Sequence, residues 1–423
     1  MSNQPTLHLR PKSLNIQRYL GLIILSLIYV SSFVDRQIIA VVGESIRIDL
    51  GLNFTALGWL YGPAFSWVYA VMGLLIGSLA DRYSRVRVIL IGAATWSVAT
   101  LVSGWASSLG FLIALRMALG LSQAALSPAV YSLLADWFSP QKRATVFSVY
   151  ASAIFIGVGL SFLIGGSVAQ QYDWRVSLQV VGLGSLLLVG VGFFRLKEPA
   201  RNPDQQFTGL HARQVIRDVK DLLAKPAVRY HLLGFSLLAM SGYTLLAFVG
   251  SIFRTAYDRS DLAPSYGWFL FGTALAVNLA GWMTDRWAQQ YGDRNRLAWG
   301  WVSGLGALPL LAIGLHTSSV EWAFWAIGFA NIIASSYNGV AAATIQYFAH
   351  DDQRGIAGAL YLFVVSIVGF GAGPPLAGWL SDQVFEGPMA VSSAVWWIYL
   401  GCGIVSALAF YKAREYYTTD TVS

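Results

Sequence analysis

Cysteine, charge and histidine are all scarce in this chain. A single cysteine, Cys402, in 423 residues excludes an intrachain disulfide framework and a cysteine metal site. The five histidines (His8, His211, His231, His316 and His350) are scattered without metal-ligand spacing, so no metal and no cofactor is expected. Only 12% of the residues are charged, about half the ~25% of a soluble domain. Too few charges remain to hydrate a water-facing surface, which excludes an ordinary soluble protein. The chain also lacks an ATP-type phosphate loop and any convergent cluster of His, Asp, Glu or Ser, so it is not expected to be an enzyme or to power itself with ATP.

Apolar sequence fills the space. Hydrophobic residues make up 56% of the chain and mean hydropathy is +0.57. Apolar runs recur at 18–42, 55–80, 86–106, 109–135, 144–169, 176–194, 232–253, 264–284, 297–315, 322–346, 355–380 and 390–411. A hydrocarbon core of about 30 Å needs roughly 20 apolar residues per helix, and lipid offers no partners to an unpaired backbone. The expected fold class is therefore an all-α membrane protein with twelve transmembrane helices in two pseudo-symmetric six-helix bundles. The polar, basic start leads into a run with no small-residue cleavage site, which reads as a retained helix.

One long hydrophilic segment interrupts the pattern. It divides the chain into an amino-terminal bundle (1–194), a linker (195–231) and a carboxy-terminal bundle (232–423), with an amphipathic surface helix expected over 215–224. Placing both termini and the linker in the cytoplasm puts 22 of the 28 Lys and Arg residues inside. Only Arg47, Arg175, Arg254 and Arg259 then face outside, and Arg36 and Arg116 lie within spans. That distribution suits a multi-pass protein of a bacterial inner membrane. It does not suit nucleic-acid binding, for which the cations are too dispersed.

An internal repeat supports the division. Gly77-Ser-Leu-Ala-Asp81-Arg82 ends the second run, and Gly281-Trp-Met-Thr-Asp285-Arg286 ends the eighth, an offset near 204. Glycines also recur in the fifth run (Gly157, Gly159, Gly165, Gly166) and the eleventh (Gly369, Gly371, Gly373, Gly378). Two related bundles can rock about a site at their interface, which a simple pore does not require.

Charges at the inner boundary are candidate gate residues: Asp81, Arg82, Arg85, Asp136, Arg143, Asp285, Arg286 and Arg354. A boundary carboxylate can pair with a cation or helix N-terminus of the other half and must release it on opening. The bland alternative is a set of topology-setting charges. Deeper lie Asp35 and Arg36 in the first span, with Arg116 and Gln123 in the fourth. Asp35 and Arg116 sit at matching depth when counted from the outer ends, and Gln123 follows Arg116 on the same face. Charges inside a membrane are costly and mark functional sites by default, although a purely structural ion pair involving Asp35 also fits. Asn278, Asn331, Tyr337, Asn338 and Gln346 are either interhelical glue or cavity lining.

The Gly77–Arg87 motif with its partial copy resembles the signature of the major facilitator superfamily. Phe33-Val-Asp35-Arg36, Arg116-Met-Ala-Leu-Gly-Leu-Ser-Gln123, Ala135-Asp136-Trp-Phe, Lys142-Arg143-Ala, Lys197-Glu198-Pro199 and the run from Gly369 to Asp382 resemble its Spinster-like branch, especially the bacterial members. The anion:cation symporters come next. Both branches typically carry a glutamate where this chain has Gln123. The resemblance implies a proton-responsive carboxylate pair, flanked by Arg36 and Arg116 that hold an anionic substrate. With Gln123 in place, Asp35 is the sole acid well inside a span, so proton coupling is expected to be weakened, lost or carried by Asp35 alone.

The expected function is alternating-access transport of an anionic or zwitterionic solute. Spinster resemblance implies an amphipathic lipid of lysophospholipid or sphingoid type; symporter resemblance implies a sugar acid or other small carboxylate. A membrane sensor that binds solute without moving it is the reading from another class. Expected partners are the substrate, membrane lipids and protons as candidate coupling ions, with the chain acting as a monomer.

Overall fold

The computed structural model describes residues 12–76, 83–199, 212–350 and 353–420; Asp81 and Arg82 lie outside them. These residues are almost wholly helical, with no strand among them. The first helix, α1 (Lys12–Asp49), is followed by α2 (Phe54–Tyr61), α3 (Pro63–Ile76), α4 (Arg85–Ser103), α5 (Leu109–Gln123) and α6 (Leu126–Trp137). Next come α7 (Pro140–Leu160), α8 (Gly166–Gln171), α9 (Trp174–Arg195) and the linker helix α10 (Ala212–Ala224). The second half holds α11 (Pro226–Tyr257), α12 (Leu262–Ser265), α13 (Gly267–Tyr291), α14 (Trp299–Leu305) and α15 (Leu308–His316). It ends with α16 (Val320–Ser335), α17 (Asn338–Thr344), α18 (Arg354–Val364), α19 (Gly373–Gln383) and α20 (Ala390–Asp420).

Among the described residues, nine helices are long and apolar enough to cross a membrane. The other three expected spans are helical too, but broken or more polar. The second is split between α2 and α3, where Gly62 caps α2 and Pro63 has no N–H to continue the ladder. The tenth is split at Ser336 and Tyr337. The eighth, α13, ends in the polar stretch Thr284, Asp285, Arg286, Gln289 and Gln290. Several helices outrun their expected bounds: α1 runs on to Asp49, α11 starts at Pro226, α13 runs to Tyr291 and α20 to Asp420, so each projects beyond its apolar run.

Local chemistry sets many helix starts. Asn53, Ser84, Ser108 and Ser319 accept hydrogen bonds from first-turn backbone N–H groups. Proline occupies the first turn of α7, α11, α15 and α19, where no N–H is missed. The glycine-rich fifth and eleventh runs both contain a π-helical stretch, Ser161–Gly165 and Val365–Ala372, at corresponding places. Such stretches mark helices bent for function.

Two apolar cores result. The larger joins both halves, with Leu57, Phe65, Phe248, Phe370 and Ala377 among its members. The smaller contains second-half residues such as Phe235, Tyr337, Phe348 and Phe410, with Leu222 of the linker helix. Hydrogen bonds between the halves gather at the end the charge bias assigns to the outside. Asp382 accepts from the Phe54 and Thr55 backbone N–H groups at 3.1 and 2.8 Å and from the Thr55 hydroxyl at 2.6 Å. Ser251 donates to Glu44 at 2.6 Å, and Gln170 donates to the Ser260 carbonyl at 3.1 Å.

Backbones touch at that end because glycine lets them. A Cβ on Gly62 would lie 2.7 Å from the Phe370 carbonyl, and one on Gly378 would collide with the Phe54 carbonyl. Gly184, by contrast, has nothing within 4 Å of such a Cβ. Gly378→Ala is expected to lower the melting temperature in detergent, since overpacking costs about 1–3 kcal/mol. Gly184→Ala is expected to hold or raise it, because alanine favours a helix by up to about 1 kcal/mol. Equal shifts of the same sign would show that Gly378 is not a packing constraint.

Candidate functional site

Three of the four intramembrane residues singled out from the sequence, Arg36, Arg116 and Gln123, gather where α1, α2 and α5 meet, while Asp35 turns away from them. Arg116 of α5 is 3% exposed. Its guanidinium donates to the backbone carbonyls of Arg36 (3.1 Å), Leu60 (3.4 Å) and Tyr61 (3.3 Å). Leu60 and Tyr61 end α2, just before the proline, so their carbonyls have lost the usual helical donors. Arg116 supplies the missing N–H groups. It stitches α1, α2 and α5 together through main chain and forms no salt bridge with Asp35.

Asp35 and Arg36 point in different directions, as neighbours on a helix must. Asp35 is 1% exposed and faces away from Arg36 into the first half. Its Oδ2 accepts from Ser185 of α9 at 2.7 Å, and Thr100 and the Trp96 indole of α4 face the same carboxyl. Among the described residues Asp35 Oδ1, Thr100 Oγ1 and Trp96 Nε1 have no hydrogen-bond partner of good geometry. Small shifts would close that set.

Arg36 lies on the side toward the second half. It donates to Gln123 Oε1 through Nε at 3.3 Å and Nη2 at 3.0 Å. Gln123 in turn donates to the Ser32 carbonyl at 3.0 Å, which orients its amide. The Arg36 guanidinium carbon stands 4.5, 4.6 and 4.8 Å from the ring centres of Phe33, Phe65 and Tyr69. No carboxylate pairs with it among the described residues. Beyond this cluster, Phe370 touches Tyr61 and Phe65 and stacks on Tyr243 at 4.5 Å, joining the second half to the same aromatic patch. Tyr61 donates to Gln37 at 2.7 Å.

The second-half polar residues behave individually. Asn331 is buried and lies 3.5 Å from the Thr273 hydroxyl, and Tyr337 stacks on Phe235. Asn278 and Asn338 are exposed and bond carbonyls of their own helices, Ala274 and Ser335. Gln346 is half-buried in a 3-10 turn after α17.

At the inner boundary, the described pairs each stay within one half. Arg85, 4% exposed, binds Asp136 at 2.6 Å and Glu198 at 2.9 Å. Asp136 thus pairs with Arg85 and not with Arg143, which donates to the Ala135 and Phe138 carbonyls. Asp285 pairs with Arg296, and Arg286 lies over the Trp282 ring at 4.0 Å. Arg354 is exposed at the start of α18.

Two acids were missed as site residues. Glu198 follows α9 and receives the Ser84 hydroxyl and the Val86 N–H as well as Arg85. Its place among Arg195, Lys197 and Arg201 was the available signal. Glu44 lies inside α1, 8% exposed, and binds Arg47 and Ser251. It lies past the expected end of the first span at residue 42, in the part of the helix that outruns the apolar sequence.

Two outcomes follow. Arg116→Lys is expected to lower the melting temperature more than Arg36→Lys. An ammonium cannot reach three carbonyls in a fork, and each buried acceptor left open costs about 1–3 kcal/mol. Burial opposes the Glu198 charge, but the bonds from Val86, Arg85 and Ser84 outweigh it and hold its carboxyl below the ordinary glutamate range. Its stabilising effect is therefore full above about pH 4.3, the unfolded value, and is lost as pH falls through the lower folded one. Melting curves from pH 7 to 3 should show a shallower acid decline for Glu198→Gln than for wild type; identical slopes would remove Glu198 from the account.

Comparison with known proteins agrees with this architecture. The chain is 29% identical over 415 residues to an MFS-type efflux pump of Mycolicibacterium smegmatis, covering 94% of this chain and 93% of that one. It is 23% identical to Protein spinster of Drosophila melanogaster, covering 89% of this chain and 64% of the fly protein. In three dimensions it matches the crystal structure of a bacterial homolog to the human lysosomal transporter Spinster in an inward-facing, occupied conformation. That match has a TM-score of 0.83 and 22% identity, over 96% of this chain and 98% of the other. The family model described as Major Facilitator Superfamily matches residues 25–372, and the chain belongs to that family of membrane transporters.

Proposed function

We propose that this transporter carries an amphipathic anion or zwitterion, bound between the two halves at Arg36, by alternating access. The observation that carries this reading is the Arg36 guanidinium itself. It is framed by Phe33, Phe65 and Tyr69, and among the described residues its one side-chain hydrogen-bond partner is a neutral amide. A glutamate at position 123 would neutralise that charge; Gln123 leaves it for a ligand. An interior that leans positive attracts anions. Three rings around the cation favour a solute that pairs its charge with apolar surface, as a lysophospholipid does. A sugar acid would ask for many more hydroxyl partners than Gln37, Tyr61 and Gln123 offer.

Closure at the outer end fits an inward-open resting state. Asp382, Glu44 and Gln170 bind across the halves there, and one apolar core spans both. Outward opening would break those bonds, while the inner-boundary pairs, being internal to each half, could travel with it. On this reading 1–194 and 232–423 move as two bodies joined by the linker. Asp35 is the residue through which proton coupling would run, acting from behind Arg36 through the shared backbone of α1. The amphiphile reading also owes something to the Spinster resemblance.

Flux into proteoliposomes decides. Lysophospholipid, sphingoid base and a sugar acid are offered with and without an inward-directed pH gradient. The expectation is uptake of the anionic or zwitterionic amphiphile, lost at least tenfold in Arg36→Gln with little change in melting temperature. Gln123→Glu should weaken uptake by neutralising Arg36, and Asp35→Asn should abolish any dependence on the gradient. Binding without flux would support a sensor instead. Full uptake by Arg36→Gln would end this proposal.

A further inference from the structure

We infer that the cleft between the start of α1 and the end of α9 is a binding site for the phosphate of an anionic phospholipid in the inner leaflet. The cleft has a volume of about 350 Å³, and Arg18, Trp137, Phe194, Arg195, Lys197 and Glu198 are among the residues that line it. Arg195 and Lys197 therefore bring two cations into one small space at the membrane boundary, with Arg18 beside them. The acids beside them offset only part of that charge: Glu198 and Asp136 share the single Arg85, a set with one net negative charge. Glu198 Oε1 is taken by Arg85, and Oε2 by the Ser84 hydroxyl and the Val86 N–H. Arg195 and Lys197 are exposed, and neither pairs with a carboxylate among the described residues. Two exposed cations against one net negative charge leave the cleft positive, and both Glu198 oxygens already have donors.

Its walls identify the source of the phosphate. Phe194 is 78% exposed, Phe193 beside it 71%, and the Trp137 indole forms the inner wall. A free phosphate gains nothing from an apolar rim; a phospholipid places its headgroup on the cations and its chains along the aromatic side. Basic pockets between spanning helices on the cytoplasmic side suit such headgroups, and that leaflet carries the anionic lipid. The Glu198 network also fastens this corner to Arg85 and Asp136, so a bound lipid would brace the inner-boundary pairs of the first half.

The test uses the full chain purified in maltoside, with binding read by native mass spectrometry and by melting temperature. Phosphatidylglycerol is expected to bind at least tenfold more tightly than phosphatidylcholine and to raise the melting temperature, as any ligand of the folded state does. The double variant Arg195→Gln/Lys197→Gln should lose about tenfold in phosphatidylglycerol affinity, on the order expected for two cations near the surface. Arg294→Gln/Lys412→Gln removes equal charge elsewhere on the inner face and should lose little. Equal losses in the two double variants would mean diffuse charge attraction and overturn the site. So would phosphatidylcholine binding as well as phosphatidylglycerol. Glycerol 3-phosphate matching the lipid at equal concentration would replace it with a soluble phosphate and end the lipid inference. Phe194→Ala adds a check that leaves every charge in place: it should weaken lipid binding, and unchanged binding would count against the aromatic wall.

Discussion

A guanidinium in the middle of a helical bundle must have its N–H groups met, and Arg116 meets them with carbonyls that a broken helix leaves open. Pro63 ends the hydrogen-bond ladder of α2, which exposes the Leu60 and Tyr61 carbonyls inside the protein. Each would be costly alone. Arg116 joins them to the Arg36 carbonyl on α1. One side chain thereby fixes the relative position of three helices. Because its donors are spent on main chain, it has little left for a substrate or for Asp35. The division of labour between the two interior arginines follows: Arg116 holds the frame and Arg36 faces the other half.

Helical geometry explains most of what the sequence made legible and part of what it hid. Residue depth along a helix can be counted, so the neighbourhood of Asp35, Arg36, Arg116 and Gln123 could be anticipated. Direction around the helix was also available, because adjacent residues diverge by about 100°. That alone argues against Asp35 and Arg36 sharing one chamber, and the structure turns Asp35 toward Ser185. Which acceptor an arginine chooses was not available. Carbonyls freed by a proline compete with a carboxylate, and only the fold shows which is nearer. The fold class was legible from hydropathy alone. Helix ends were less so: α1 and α11 continue past their apolar runs because a helix protruding into water still satisfies its own backbone.

Gln123 changes the balance of the site more than its size suggests. An amide and a carboxylate have nearly the same shape, so the Arg36 contact and the Ser32 bond both fit. Charge is what differs. Hydrogen-bonded to a neutral oxygen, Arg36 keeps its full attraction for an anion, yet it is held against three rings and cannot wander. The arrangement trades a titratable partner for a standing positive charge.

The proposed alternation of access asks that the contacts between the halves be reversible. At the outer end they include a few hydrogen bonds and glycine-to-carbonyl approaches at Gly62 and Gly378, beside apolar contacts such as Phe54 on Phe248. Each bond to a carboxylate is worth about 1.5–3 kcal/mol net, a modest sum because water would replace it on opening. Glycine contacts add close packing without interlocking side chains, so the surfaces can part without rotamer changes. Asp382 strengthens this end by capping α2, where a carboxylate meets two backbone N–H groups and the positive end of the helix dipole. On opening, α2 keeps Asn53 as a local cap for Ala56, so the helix survives the loss of its partner. A helix capped twice, once from its own chain and once from the other half, can lose the second cap without unravelling. That is the property a moving interface requires.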